Sequence, residues 1–148
     1  MALQERIQQE LKAAMLAKDS ERVGTLRLLK SAIGYVLVEK KVDRLSDAEV
    51  VAVIQKEVKK RREAAEQFQA GGRPELADKE KREMAMLESF LPPPLSPEEL
   101  EQLVQAVIQE LGATSKKEMG PVIKAVQAKA AGRADGKTIS AVVGRRLP

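Results

Sequence analysis

Leu91-Pro92-Pro93-Pro94-Leu95-Ser96-Pro97-Glu98-Glu99 decides how this 148-residue chain is divided. Three successive prolines supply no N–H donors, and each biases the residue before it away from the helical region. No helix therefore crosses them. Ser96 and Glu99 then form a capping box: the serine oxygen accepts a free N–H of the first turn, and the glutamate reaches back to the cap. Pro97 takes the first helical position, where its missing donor costs nothing. The stretch ends one helical region and starts another. It predicts an N-terminal helical bundle over 1–91, a proline linker over 92–96 and a small C-terminal helical domain over 97–148.

Helical periodicity extends outward in both directions. Leu3, Ile7, Leu11, Ala14 and Met15 predict a first helix to about Lys18. Asp19-Ser20-Glu21 caps a second, ending near Lys40. Val23, Leu26, Leu29, Ile33, Val36 and Leu37 share one face of it, while Leu28 and Tyr35 lie on another. Two apolar faces predict a central position in the bundle. Ser46 and Glu49 make a capping box for a long third helix to about Ala70, with Val51, Ile54, Val58, Ala65 and Phe68 inward. Gly71-Gly72 stops it, and Pro74 opens a fourth helix carrying Met84, Leu87, Phe90 and Leu91 on its apolar face. Beyond the prolines, Leu100, Val104, Val107, Ile108 and Leu111 face inward from a fifth helix that Gly112 ends. Ser115 and Glu118 predict another capping box, before a helix to about Ala130 that bends at Gly120-Pro121. Asp135 caps a last helix through Leu147. The fold class is all-α: two helical bundles and about seven helices, with no alternating strand pattern.

Composition removes whole classes of chemistry. The chain has no Cys, His or Trp, one Tyr and two Phe. Disulfides, thiolate nucleophiles, Ser-His-Asp arrangements and the commonest transition-metal ligand are all absent. Base-stacking platforms are nearly impossible. No apolar run approaches the length of a membrane span. Met1 to Arg6 is acidic within five residues and has no apolar region after it, so no signal peptide is expected and the expected location is cytoplasmic. The absence of Asn and the abundance of Ala, Arg, Val and Gly suggest a GC-rich or heat-adapted bacterial source.

The formal net charge is +4, and it is unevenly spread. Residues 112–148 hold eight basic side chains (Lys116, Lys117, Lys124, Lys129, Arg133, Lys137, Arg145 and Arg146) against Glu118 and Asp135. Glu98, Glu99, Glu101 and Glu110 precede them. Three other features have plain readings. Lys59-Lys60-Arg61-Arg62 fans over about 300° of a helix, and Glu57 and Glu63 beside it indicate a solvated, paired surface. Glu75, Asp78, Glu80, Glu83 and Glu88 alternate with Lys79, Lys81 and Arg82, in no calcium-loop spacing. Gly120 interrupts a helical pattern, for which close helix packing is the usual reason. Gly132-Arg133-Ala134-Asp135-Gly136-Lys137 precedes a helix N-terminus, which favours anions. Gly132 and Gly136 are one residue too close for a Walker loop. On spacing the segment reads equally as a turn and as an anion site.

A resemblance rests on particular stretches. They are Arg27 to Ile33; Gly72-Arg73 with Leu76-Ala77; Glu80 with Glu83; and Leu91-Pro92. They continue with Lys117-Glu118-Met119-Gly120 leading to Val122-Ile123-Lys124, and with Gly132 to Lys137. In this order and over nearly the whole chain, they resemble the GatB/YqeY family, specifically its free-standing YqeY-like proteins. The last two stretches are the most specific. The residue after Gly120, often Lys in relatives, is Pro121 here. The resemblance implies two all-helical bundles. It also implies a C-terminal part similar to the tail of the B subunit of the tRNA-dependent amidotransferase, which helps hold tRNA away from the chemistry. A related helical region is appended to some glutaminyl-tRNA synthetases. The family label, a carbon–nitrogen ligase with glutamine as amido-N-donor, implies an ATP and magnesium site and an amidase nucleophile. Neither has a motif in this chain.

The expectation is therefore a module without catalysis of its own, cofactor or metal, binding tRNA or a tRNA-handling complex by phosphate neutralisation and shape. Its contacts would be Lys124, Lys129, Arg133, Lys137, Arg145 and Arg146, with the Gly136 backbone at the helix end. About four phosphate contacts would give a log–log salt slope near −3. The alternative is a protein-interaction adaptor: the N-terminal bundle docks on an amidotransferase or aminoacyl-tRNA synthetase, and an exposed apolar groove around the third helix would mark it. The third reading is an amidotransferase in its own right.

Overall fold

The computed structural model describes residues 1–148. It is all helical: α1 (Leu3–Leu16), α2 (Ser20–Lys40), α3 (Asp47–Ala70), α4 (Pro74–Glu88), α5 (Pro97–Leu111), a single 3-10 turn (Lys116–Glu118), α6 (Met119–Ala130) and α7 (Gly136–Arg146). The chain divides into two compact units, Met1–Leu91 and Pro92–Pro148.

Local chemistry sets most helix ends. Ser46 and Ser96 each accept the N3 amide, and Glu49 and Glu99 each return a bond to the cap amide, so both capping boxes are complete. Lys40 also pairs with Glu49. That hydrogen bond, with those from Ser46, holds the Glu49 carboxyl down at about 2. Gly112 (φ +65°) is left-handed after α5, which lets the Ala113 amide turn back to the Ile108 carbonyl at 3.1 Å. A side chain at that φ is strained.

In the N-terminal unit, Leu3, Ile7 and Leu11 of α1 meet Leu26, Leu29 and Ile33 of α2. Val50, Ile54 and Val58 of α3 close the core with Leu87 and Phe90. In the C-terminal unit, Leu100, Val104 and Val107 of α5 pack with Val122 and Val126 of α6 and with Ile139, Val142 and Val143 of α7. Most predicted core positions are thus inside.

Several expectations need correction. Met15, expected inward, is exposed on the last turn of α1. Leu111, on the last turn of α5, is also exposed. Ser115 makes no capping bond. Glu118 instead accepts from the Thr114 amide (3.2 Å) and hydroxyl (3.5 Å), which fixes a tight 3-10 turn before α6. Pro121 then falls in the first turn of α6, where no donor is missed, so a start replaces the expected bend. Gly120 has nothing within 4 Å of where its Cβ would stand, so close packing inside the chain does not explain it. Finally, α2 buries only one face: Leu28 (55%), Tyr35 (79%) and Val38 (78%) remain exposed.

Candidate nucleic-acid interface

The C-terminal unit holds eight basic residues against six acidic ones once α5 is counted, and its fold sets the two against each other. Arg145 and Arg146, on the last turn of α7, both reach Glu101 of α5, at 2.9 and 2.6 Å. The Arg146 hydrogen bond is the main reason the Glu101 carboxyl sits below its ordinary range. Lys129 pairs with Glu110. Arg133 donates from Nε to the Pro93 carbonyl at 2.8 Å, and its own carbonyl accepts from the Leu95 amide at 2.8 Å. Its guanidinium is also 3.9 Å from Glu99. Arg133 thus clips the proline segment onto its own unit.

The loop before α7 is a cap. Asp135 accepts the Thr138 amide at 2.7 Å, so a carboxylate already stands at the positive end of the helix. Gly136 has a steric reason of its own: a Cβ there would lie 3.2 Å from Gln127 Nε2. That contact places the start of α7, and Lys137 with it, beside the outer face of α6.

Four lysines of this unit have no intramolecular partner for their ammonium groups: Lys116, Lys117, Lys124 and Lys137. All four are exposed. Gly120 and Lys124 are one turn apart on α6 and both exposed, and Lys117 is exposed on the 3-10 turn that leads into the helix. Lys124 is one turn from Gln127, the neighbour of Gly136. The edge from Lys117 through Gly120 and Lys124 to Lys137 is therefore basic and sterically open. Of the six cationic residues proposed from sequence, the fold brings Lys124 and Lys137 to this edge. Lys129, Arg133, Arg145 and Arg146 are engaged with acids or backbone. Lys117 was visible only as charge, because nothing in the sequence separates a paired cation from a free one.

The N-terminal unit conceals a second electrostatic feature. Arg61, expected on a solvated face, is buried, with its side chain 9% exposed. Its guanidinium lies 3.4 Å from Glu57, one turn earlier, and 3.3 Å from Glu83 of α4. The Nε faces Glu83 without hydrogen-bond alignment. Burial, then the like charge of Glu83, pushes the neighbouring Glu80 carboxyl up. A carboxylate raised by folding weakens the fold once ionised, and the penalty disappears as pH falls through its folded value. Glu80→Gln is thus expected to raise the thermal midpoint at pH 7. It should leave the midpoint unchanged below the ordinary carboxylate range; an unchanged midpoint at pH 7 would refute the effect. Nearby, an apolar groove of about 530 Å³ between α3 and α4 is lined by Ala65, Gln69, Ala70 and Met84, with Arg62, Glu66 and Lys81 at its rim. No group of acidic side chains is arranged to hold a metal ion. No helix is long and apolar enough to cross a membrane.

Comparison with known proteins places this arrangement among relatives. The family model described as Yqey-like protein matches residues 4–147. Altered inheritance of mitochondria protein 41, mitochondrial, from Eremothecium gossypii is 33% identical over 110 residues, covering 73% of this chain and 60% of that protein. Its namesake from Kluyveromyces lactis is 31% identical over 135 residues, covering 90% and 69%. An uncharacterized protein of Schizosaccharomyces pombe is 34% identical over 90 residues, covering 61% and 72%. The chain spans about three fifths of the Eremothecium protein's length. These relatives are fungal, and two are mitochondrial by name. They lend no support to the bacterial source or to the cytoplasmic location expected from composition.

Proposed function

The chain belongs to the YqeY-like protein family, and on that footing we propose that it is a non-catalytic helical module that grips tRNA along the outer edge of α6. The observation that carries this reading is the set of unpaired lysines, Lys117, Lys124 and Lys137, flanking the bare backbone of Gly120. Phosphate oxygens need cations that are not already neutralised, and a phosphodiester backbone needs room to approach. The edge offers both. The arginines have the stronger geometry for phosphate, but they already hold carboxylates. The unit contains no aromatic residue, so recognition proceeds by phosphate contact and shape without base stacking. The similarity of this segment to the amidotransferase B-subunit tail points in the same direction.

The test is binding of tRNA by the full chain across a salt series. Three phosphate contacts give a log–log slope of about −2 to −3, shallower than the sequence-based set of six cations would allow at full engagement. An affinity indifferent to salt, or no binding near physiological salt, would overturn the proposal.

A further inference from the structure

α2 carries the one aromatic ring that the chain offers to solvent. Tyr35 is 79% exposed, whereas Phe90 is buried and Phe68 half-buried. Ser31, one turn before Tyr35, shares its outward face, and Arg27 lies one turn before Ser31. Arg27, Lys30 and Gly34 form a strip beside that row, within about 60° of one another around the helix. Arg27 and Lys30 are exposed, and neither has an intramolecular partner. No acidic residue stands on this side of α2. Glu21, which Arg82 holds, and the exposed Glu39 both lie on the other side of the Tyr35 row. Gly24 and Gly34 have nothing within 4 Å of where a Cβ would stand, so the backbone is open on this side.

The geometry points to α2 as a site for single-stranded RNA, with one unpaired base stacked on Tyr35 and the phosphates running back past Ser31 toward Arg27 and Lys30. This rests on the reading of the chain as an RNA binder, and it adds a kind of contact that the tail, without any aromatic residue, does not make. An exposed aromatic face stacks on any base, and cations that hold no carboxylate are left for phosphate. Arg27 is eight residues from Tyr35, about 12 Å along the axis, so it meets the phosphate of a neighbouring nucleotide rather than that of the stacked base. Glu39, one turn beyond Tyr35, repels phosphate on its own side and directs the strand toward the N-terminal half of the helix. The ring selects this occupant over an acidic peptide, which the two cations alone would attract equally. A duplex keeps its base faces inside the stack and has none to offer.

The chain has one Tyr and no Trp, so its tyrosine emission reports position 35 alone. The probe is a single-stranded adenylate hexamer added to the full chain; the controls are the same hexamer paired with its complement, and hexaglutamate. The single strand is expected to shorten the emission lifetime by about half or more at saturation, and the controls to leave it unchanged. With a dye-labelled hexamer, Tyr35→Ala should weaken binding by about fivefold or more, and Tyr35→Phe, which keeps the ring, should bind like the original chain. Arg27→Gln/Lys30→Gln should weaken it by about tenfold. All three positions are exposed, so the fold persists in each variant. The proposal is overturned if the hexamer leaves the lifetime unchanged, if either control shortens it as much, or if Tyr35→Ala binds the hexamer as tightly as the original chain. It is equally overturned if the lifetime changes with chain concentration alone, which would mark a second copy on this face. If tRNA binds while the hexamer leaves the lifetime unchanged, this inference fails and the tail reading stands. If the hexamer shortens the lifetime and Lys117→Glu/Lys124→Glu/Lys137→Glu binds tRNA undiminished, α2 is supported and the tail reading fails.

Discussion

Arg61→Ala destabilises the N-terminal unit by about 3–5 kcal/mol, the largest single-residue effect expected in the chain. The variant leaves Glu57 and Glu83, whose side chains are only 11% and 13% exposed, without the cation between them. Two carboxylates in a poorly hydrated space then repel each other or take up protons, and either response is costly. For a unit of 91 residues, the loss corresponds to roughly 12 °C or more in the thermal midpoint. Replacing the whole cluster is a different experiment. Glu57→Leu/Arg61→Met/Glu83→Leu removes the desolvation cost along with the attraction, and it should restore most of the stability. Calorimetry on all three chains separates the cases. A loss below about 1 kcal/mol for Arg61→Ala would show a cluster as well hydrated as a surface pair.

The same cluster shows where sequence reading stops. The i, i+4 pairing of Glu57 with Arg61 is written in the chain, and so are the capping boxes at Ser46 and Ser96, because each needs residues only three or four apart. Burial of Arg61 depends on Glu83, which arrives from α4 after an intervening turn. The charge of the tail is a similar case. Arg145 and Arg146 count as basic until α5 delivers Glu101 from 44 and 45 positions away. Periodicity also cannot count neighbours. It assigns Leu28 and Tyr35 to a second apolar face of α2, but whether the unit contains an element to cover that face is a property of the assembled bundle. The cores were legible because they repeat every turn. The functional surfaces are defined by what remains unpaired once those cores have formed.

Reversing Lys117, Lys124 and Lys137 to glutamate weakens tRNA binding on the order of 100-fold at physiological salt. Each neutralised phosphate releases counterion worth roughly 1 kcal/mol at this ionic strength, and three lost contacts account for that factor before any repulsion is added. The salt slope should flatten toward zero in the same variant. Arg145→Ala/Arg146→Ala removes as much formal charge as two of those lysines, yet it should change affinity by less than about threefold, because Glu101 already neutralises part of that charge. All five positions are exposed, so helicity should survive in both variants, and circular dichroism checks this directly. The contrast between the variants carries the information. If affinity followed net charge alone, the arginine variant, which changes the charge by two, would show about a third of the logarithmic loss of the lysine variant, which changes it by six, and the outer edge of α6 would have no special standing. If the arginine variant proves the more damaging, phosphate must displace Glu101 from Arg145 and Arg146, and the grip belongs to the α5–α7 edge instead. Loss confined to the lysine variant would mean that pairing inside the unit, rather than its basic composition, decides where RNA is held.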